Sequence, residues 1–372
     1  MSSRREFLKV TALGAAALPF IGCQTKPAPR SLRILVLGGT SFLGPQQIAY
    51  ALDRGHSITT FTRGLTEPTT HTALFERVES LIGDRENDLE ALKGREWDAV
   101  IDNSGRQASW TAATADLLRD HADLYLYTSS TGVYYPYLGS DITEDTELET
   151  VVPPGLDAVR QMEYDYGVMK TLSEREARRA FGDDRTIVVR PTYMMGPGDR
   201  TDRFTYWPLR LREGGRVMVP GMTDDPVQYV DVRDIGEWMI RLIEERRAGT
   251  FNGVGPADAT TMRQFVEAAH AGMASTADFA QVDDYEFLAA HGILDAVPWI
   301  MPTGENVGSA RINNRHGIAN GLTFRPLADS VRDILTWWDS GVIESERAAR
   351  MMTDPGSLMA REAAILAEWD AG

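Results

Sequence analysis

Tyr166 and Lys170 stand four residues apart in "YGVMK", so on a helix they share one face, a turn apart. The pair raises a question of acid–base chemistry. A phenol with a pKa near 10 is a poor base at neutral pH, but a neighbouring cation favours its ionised form. Ser130 and Thr131 come earlier, in "YTSSTGVYYP", at the end of an apolar run. Hydroxyl side chains at the carboxyl end of a parallel strand face a ligand crevice. By itself a Tyr–Lys pair is mostly a surface pair. It becomes catalytic only if the chain also builds a cofactor site for the tyrosine to face.

The elements ahead of it supply one. "LRILVLGG" is a continuous apolar run ending in glycines, the pattern of a strand buried on both faces of a parallel sheet. "SFLGPQQIAYALDRGH" follows with helical spacing, so that strand, turn and helix make the first unit of a dinucleotide fold. Gly38 permits the tight turn and Gly44 lets helix and strand approach, leaving a helix N-terminus to face a pyrophosphate. The second strand, "SITTFTRG", ends in Thr62 and Arg63, with no carboxylate for a ribose 2′-hydroxyl. Arg63 suits a 2′-phosphate, which favours NADP over NAD; the alternative is a solvated arginine. "RVESLIGD", "WDAVIDNSG" and "ADLYLYTSS" add three strands, and "DRTIVVRPTYMMGPGD" a sixth. Strands alternating with helices predict an α/β fold, a Rossmann-type doubly wound parallel sheet. Asp84 and Asn103 fall at strand ends; Asp84 either contacts the adenine or caps a helix over "RENDLEAL".

Taken in order, "LGGTSFLG" (37–44), "SSTGVY", "YGVMK", "RPTYMMGPGD", "QYVDVRD" and "GTFNGVGP" resemble the extended short-chain dehydrogenases/reductases, the NAD-dependent epimerase/dehydratase superfamily, over roughly residues 31–256. The resemblance implies a Rossmann domain over 31–190 and a smaller C-terminal α/β substrate-binding lobe over 191–372, the chain partly returning to the sheet around 228–256. It matches Tyr166 to the catalytic tyrosine, Lys170 to its lysine, which also holds the nicotinamide ribose, and Ser130 to the hydroxyl that orients the reacting oxygen. It places Gly38, Thr40, Ser41, Phe42, Leu43 and Gly44 around the cofactor, with Pro191 after the sixth strand. One departure is Ser41, where the family has the central glycine of the turn. The implied protein is an NAD(P)-dependent epimerase/dehydratase or reductase, and the superfamily's habit is a helix-paired homodimer. Some relatives with similar "GGT" turns are non-catalytic or RNA-associated, which is the competing reading.

The substrate end is read from composition. "DRTDRFTYWP" (Asp199–Pro208) mixes polar and aromatic residues as sugar-sized pockets do, which nominates Arg203, Tyr206 and Trp207; a packed loop is the alternative. Thr131 neighbours Ser130, and Gln228 and Tyr229 stand where the superfamily often places substrate residues. Asp231, Arg233 and Asp234 read as structural. "VPWIMPTGENVG" (Val297–Gly308) reads as a loop over the cleft. The six histidines show no metal-ligand spacing.

The first thirty residues carry a separate message. Arg4 and Arg5 precede a short apolar stretch and Cys23, the pattern of a twin-arginine export signal. "FIGC" resembles a lipobox, so two outcomes stay open: a lipid anchor on Cys23, or cleavage near Ala28 and a soluble periplasmic product. Cys23 is the sole cysteine, which excludes an internal disulfide. A formal charge of -16 argues against nucleic-acid partners. The expected partner is a carbohydrate-like small molecule. Export of the folded protein would carry a tightly held cofactor with it.

Overall fold

The computed structural model describes residues 30–103 and 105–372. The export-signal expectation and Cys23 lie outside the described residues. The central sheet has seven strands: β1 (Arg33–Leu37), β2 (Ser57–Thr62), β3 (Glu79–Ile82), β4 (Trp97–Asp102), β5 (Ala122–Thr128), β6 (Thr186–Pro191) and β7 (Gly249–Gly253). All pairings are parallel, and across the sheet the order is β7, β6, β5, β4, β1, β2, β3. Ile34 to Leu37 of β1 are at most 1% exposed, which is why that run carries no polar alternation. β7 is the strand by which the chain returns to the sheet, inside "GTFNGVGP".

Helices cover both faces. α1 (Leu43–Asp53) packs against α4 (Val232–Glu244), and α2 (Ala108–Leu118) against α3 (Ala158–Phe181). α3 is 24 residues long because both ends are well stopped. The Asp157 carboxylate accepts from the backbone N–H groups of Val159 and Arg160, and Gly182 ends the helix with φ of 75°. Its inward stripe, with Gly167, Val168, Lys170, Glu174 and Ala177, sets the catalytic candidates against the sheet.

The remaining residues build the lobe around its own apolar cluster, with Phe204, Trp207, Phe265 and Trp299 at its centre. Strands Gly215–Pro220 and Ala277–Val282 pair in parallel there. Two C-terminal helices, α5 (Ser345–Thr353) and α6 (Leu358–Ala371), close the lobe. Trp337 belongs to the core, and Asp231 caps α4 while Arg233 and Arg325 tie it down. The helix expected over "RENDLEAL" is absent. Asp84 instead folds a tight turn by accepting from the Glu86 N–H, and only Glu90–Leu92 form a short 3-10 turn.

Candidate functional site

β1 runs between β4 and β2, so the strand order reverses there and the carboxyl ends open a crevice. A cavity of about 380 Å³ fills it. Gly38, Thr40, Ser41, Phe42 and Leu43 line one side, Arg63 and Asp84 the far end, and Asn103 and Lys170 the floor. Gly38 has φ of 78°, a left-handed turn that favours glycine. Gly44 does not line the cavity; it supports it. A Cβ there would stand 2.3 Å from the Gly39 carbonyl oxygen, so only glycine lets α1 start this close to β1. Ser41, which stands where the family has the central glycine of the turn, is exposed and lines the mouth of this cavity. Asn103 is fixed from both sides, donating to Gln47 at 2.7 Å and accepting from the Thr128 hydroxyl at 2.7 Å.

A second cavity, of about 480 Å³, adjoins the first. Ser130, Thr131, Tyr137, Glu163, Tyr193 and Arg203 contribute to its walls. Phe42, Ser129, Tyr166 and Met194 line both cavities. The candidate triad is therefore split by geometry. Lys170 faces the first cavity, Ser130 the second, and Tyr166 stands at their junction.

That arrangement needs two helical segments in very close contact. Residues Thr131–Tyr134 form a 3-10 turn, and a Cβ on Gly167 would stand 2.6 Å from the Gly132 carbonyl oxygen. Gly132 in turn leaves room for the Tyr166 ring, whose Cε1 would meet a Cβ at 2.8 Å. The two glycines thus let the Ser130 turn lie directly on the face of α3 that carries Tyr166 and Lys170.

Lys170 is buried and donates to the Thr128 carbonyl at 2.9 Å; its Nζ lies 6.0 Å from the Tyr166 ring centroid. Burial pulls its pKa down to about 8, against the upward pull of Asp102 and Glu174. Asp102 is fully buried and bound by Arg85 and the hydroxyl of Tyr125. Glu174 is held by Arg190 at 2.7 and 2.9 Å and accepts from Ser129, the neighbour of Ser130. So two buried anions, each with its own arginine, stand around the lysine.

Tyr166 corrects an expectation. Desolvation in the cleft pushes its phenol above the ordinary value, although the ring edge leaves the residue 43% exposed. The Ser130 hydroxyl, Arg203 and Arg106 work in the opposite direction, and Glu163 adds to the rise. Burial of the phenol outweighs the cations around it, so protein groups alone do not hold it low.

The other placements divide cleanly. Arg203 lines the second cavity and stacks over Tyr193, 5.4 Å from its ring centroid. Pro191 lines that same cavity and not the first, because β6 ends on the substrate side. Trp207 is no substrate contact: it is wholly buried and donates to the Val297 carbonyl at 2.8 Å. Gln228 is no contact either, since its amide is closed on the backbone of Ile312 at 2.7 and 3.1 Å. Tyr206 is buried and meets a third cavity in the lobe. The stretch 297–308 lines neither of the first two cavities, and only Val297 reaches the third. Trp299 is in the lobe core, bonded to Asp225, and Glu305 is pinned by Arg160 and Tyr135.

Sequence reasoning overlooked Glu163, Tyr137 and Tyr193 in the second cavity and Arg85, Arg106 and Trp110 in the first. A helical signal existed for Glu163, three residues before Tyr166 on one face, and for Glu174, four after Lys170. The arginines and Tyr137 come from loops, where no periodicity marks them.

The sequence model of the NAD dependent epimerase/dehydratase family matches residues 34–254. The chain is 28% identical over 228 residues to the chloroplast stem-loop binding protein of 41 kDa b of Arabidopsis thaliana, covering 58% of this chain and 56% of that protein. It is 27% identical over 251 residues to an epimerase family protein of Bos taurus, covering 64% of this chain and 79% of that one. Among solved structures, the fold resembles the Bordetella bronchiseptica enzyme WbmH in complex with NAD+, with a TM-score of 0.60 and 13% identity over 84% of this chain and 100% of that one. It also resembles the UDP-glucose 4-epimerase of Bifidobacterium longum in complex with NAD+ and UDP, with a TM-score of 0.59 and 15% identity over 83% and 98%.

Proposed function

The chain belongs to the NAD dependent epimerase/dehydratase family, and from that premise we propose that it oxidises, or epimerises by way of, an alcohol carbon of a carbohydrate-like small molecule. The observation that carries the proposal is the position of Tyr166 where the two cavities meet, with Lys170 on one side and Ser130 on the other. The first cavity fits a nicotinamide dinucleotide. Its glycine turn brings α1 close behind β1, so that Gly38, Thr40, Ser41, Phe42 and Leu43 line it, and its floor carries Asn103 and the Lys170 ammonium. When bound, that cofactor supplies the hydride acceptor and donor.

The residues of the chain handle the proton and the geometry. Ser130 would orient the substrate hydroxyl, and Tyr166, once ionised with the help of the Lys170 ammonium and the positive charge of a bound oxidised cofactor, would take its proton as the C–H bond breaks, giving a carbonyl. Lys170 holds ribose hydroxyls and supplies positive charge near the phenolate; Asp102 and Glu174 keep it protonated. Arg203 and Glu163 offer polar contacts to the remaining hydroxyls. Arg63, at the end of β2 where a carboxylate would select a free 2′-hydroxyl, favours NADP over NAD. The twin-arginine pattern fits an exported protein, periplasmic or anchored at Cys23. There a hydride returned to the same substrate avoids any need for fresh cofactor.

The test is to purify the protein from the periplasmic or membrane fraction, denature it and identify released nucleotide by mass spectrometry. Stoichiometric NADP or NAD supports a cofactor carried through export. A protein that arrives empty and binds neither dinucleotide in calorimetric titration refutes the catalytic reading.

The stem-loop binding relative favours a second reading, an RNA-associated protein. A net charge of -16 weighs against it, as does a complete Ser130, Tyr166 and Lys170 set that RNA binding does not use. Salt-dependent retention of a stem-loop RNA by the full chain would revive it.

A further inference from the structure

We propose that the cavity beneath the two C-terminal helices is a second compartment of the substrate site and holds an apolar aglycone, making the substrate an amphipathic glycoside. The inference rests on the carbohydrate reading of the Tyr166 pocket and adds what lies beyond the sugar. The cavity measures about 340 Å³, at the small end of the range for ligand sites. It shares Thr201 and Arg203 with the Tyr166 pocket, so the two adjoin.

Chemistry changes along that path. Around Tyr166 the lining offers hydroxyls, Glu163, Asp199 and Arg203, which match a sugar's donors and acceptors. Past Arg203 it keeps charged groups but gains an apolar set, Ala296, Val297, Met351, Leu358 and Met359. Methionines and leucine suit an aliphatic or aromatic group of variable shape. The charges in this second lining are Arg203 and Arg350 against Asp202 and Asp295, so no surplus of positive charge is left for a pyrophosphate.

The wall is also firmly built. Arg347 of α5 is bonded to both carboxylate oxygens of Asp202, on the loop that carries Arg203. Glu362 of α6 is bound by Arg210 and accepts from the Met218 N–H at 2.7 Å, and Arg361 donates to the His291 carbonyl at 2.8 Å. These links, with Ile365 and Leu366 of α6 packed in the lobe core, hold the two helices that carry Met351 and Met359 in place.

The experiment titrates the full chain by calorimetry with n-octyl β-D-glucopyranoside, below its micellar concentration, and with methyl β-D-glucopyranoside. The octyl glycoside should bind at least tenfold tighter. Met351→Asp should abolish that gain by placing a charge in the compartment, and the milder Met359→Ala should reduce it with the fold intact by circular dichroism. Equal binding of the two glycosides, binding by neither, or an octyl gain that survives both substitutions overturns the proposal. So does UDP displacing the octyl glycoside, which would assign the compartment to a nucleotide. NADPH binding, followed in the same preparations by nicotinamide fluorescence, separates the failures: with it intact, equal binding of the two glycosides removes only the aglycone assignment, whereas binding of neither also removes the carbohydrate reading of the Tyr166 pocket.

Discussion

Replacing Lys170 with methionine should make the protein more stable at neutral pH while removing a group to which the proposed chemistry assigns a role. The side chain is buried, and burial lowers its pKa from the ordinary 10.5 to about 8. A folded-state pKa below the unfolded one means that the unfolded chain binds the proton more tightly, so protonation favours unfolding. The penalty is fully present below pH 8 and is relieved as pH rises from 8 toward 10.5. At pH 7 linkage sets it at about 3 kcal/mol, and at pH 9.5 at about 1 kcal/mol. Methionine fills the volume without the charge, but it gives up the bond to the Thr128 carbonyl, at a cost of about 1–2 kcal/mol. The net gain at pH 7 is about 1–2 kcal/mol, and it should fall by about 2 kcal/mol between pH 7 and 9.5. Urea denaturation of both proteins at the two pH values measures it. A variant less stable than the parent by more than about 2 kcal/mol at pH 7, or a difference that does not change with pH, would refute the account of Lys170 as a desolvated cation held charged by its neighbours.

Three other outcomes test neighbouring parts of the structure. Gly44→Ala puts a Cβ 2.3 Å from a backbone oxygen, so it should cost about 1–3 kcal/mol in urea denaturation and weaken dinucleotide binding at least tenfold in calorimetry. Asp102→Asn leaves the Arg85 guanidinium buried without its counter-charge and should cost about 3–5 kcal/mol. Pairing that position with Arg85→Met and Asp102→Leu should recover most of the loss, and no recovery would contradict the ion-pair account. Arg63→Ala should raise the Kd for NADP by tenfold or more and leave that for NAD within twofold. Equal effects on both would remove Arg63 as the selectivity residue.

The nucleotide half of the site was legible because its signals are local. A buried β1 reads as an unbroken apolar run, Gly38 and Gly44 occupy positions where backbone geometry admits little else, and the spacing of Tyr166 and Lys170 is set by the helix alone. The substrate half was not. Arg203, Tyr206 and Trp207 lie within five residues of one another, in one aromatic and polar stretch, and composition nominated all three. Folding sent Trp207 into the lobe core and Tyr206 to the compartment beyond, and left Arg203 in the Tyr166 pocket. Gln228 was spent on the backbone of a residue 84 positions away.

Sequence alone therefore determined the doubly wound strand–helix alternation, the dinucleotide turn and the catalytic spacing, since each depends on contacts within a few residues. Tertiary structure decided which way the Tyr166 phenol shifts, which anions surround Lys170, and that a helix pair at the far end of the chain walls the cleft. Desolvation and charge pairing depend on what packs in from distant segments, and no local pattern records that.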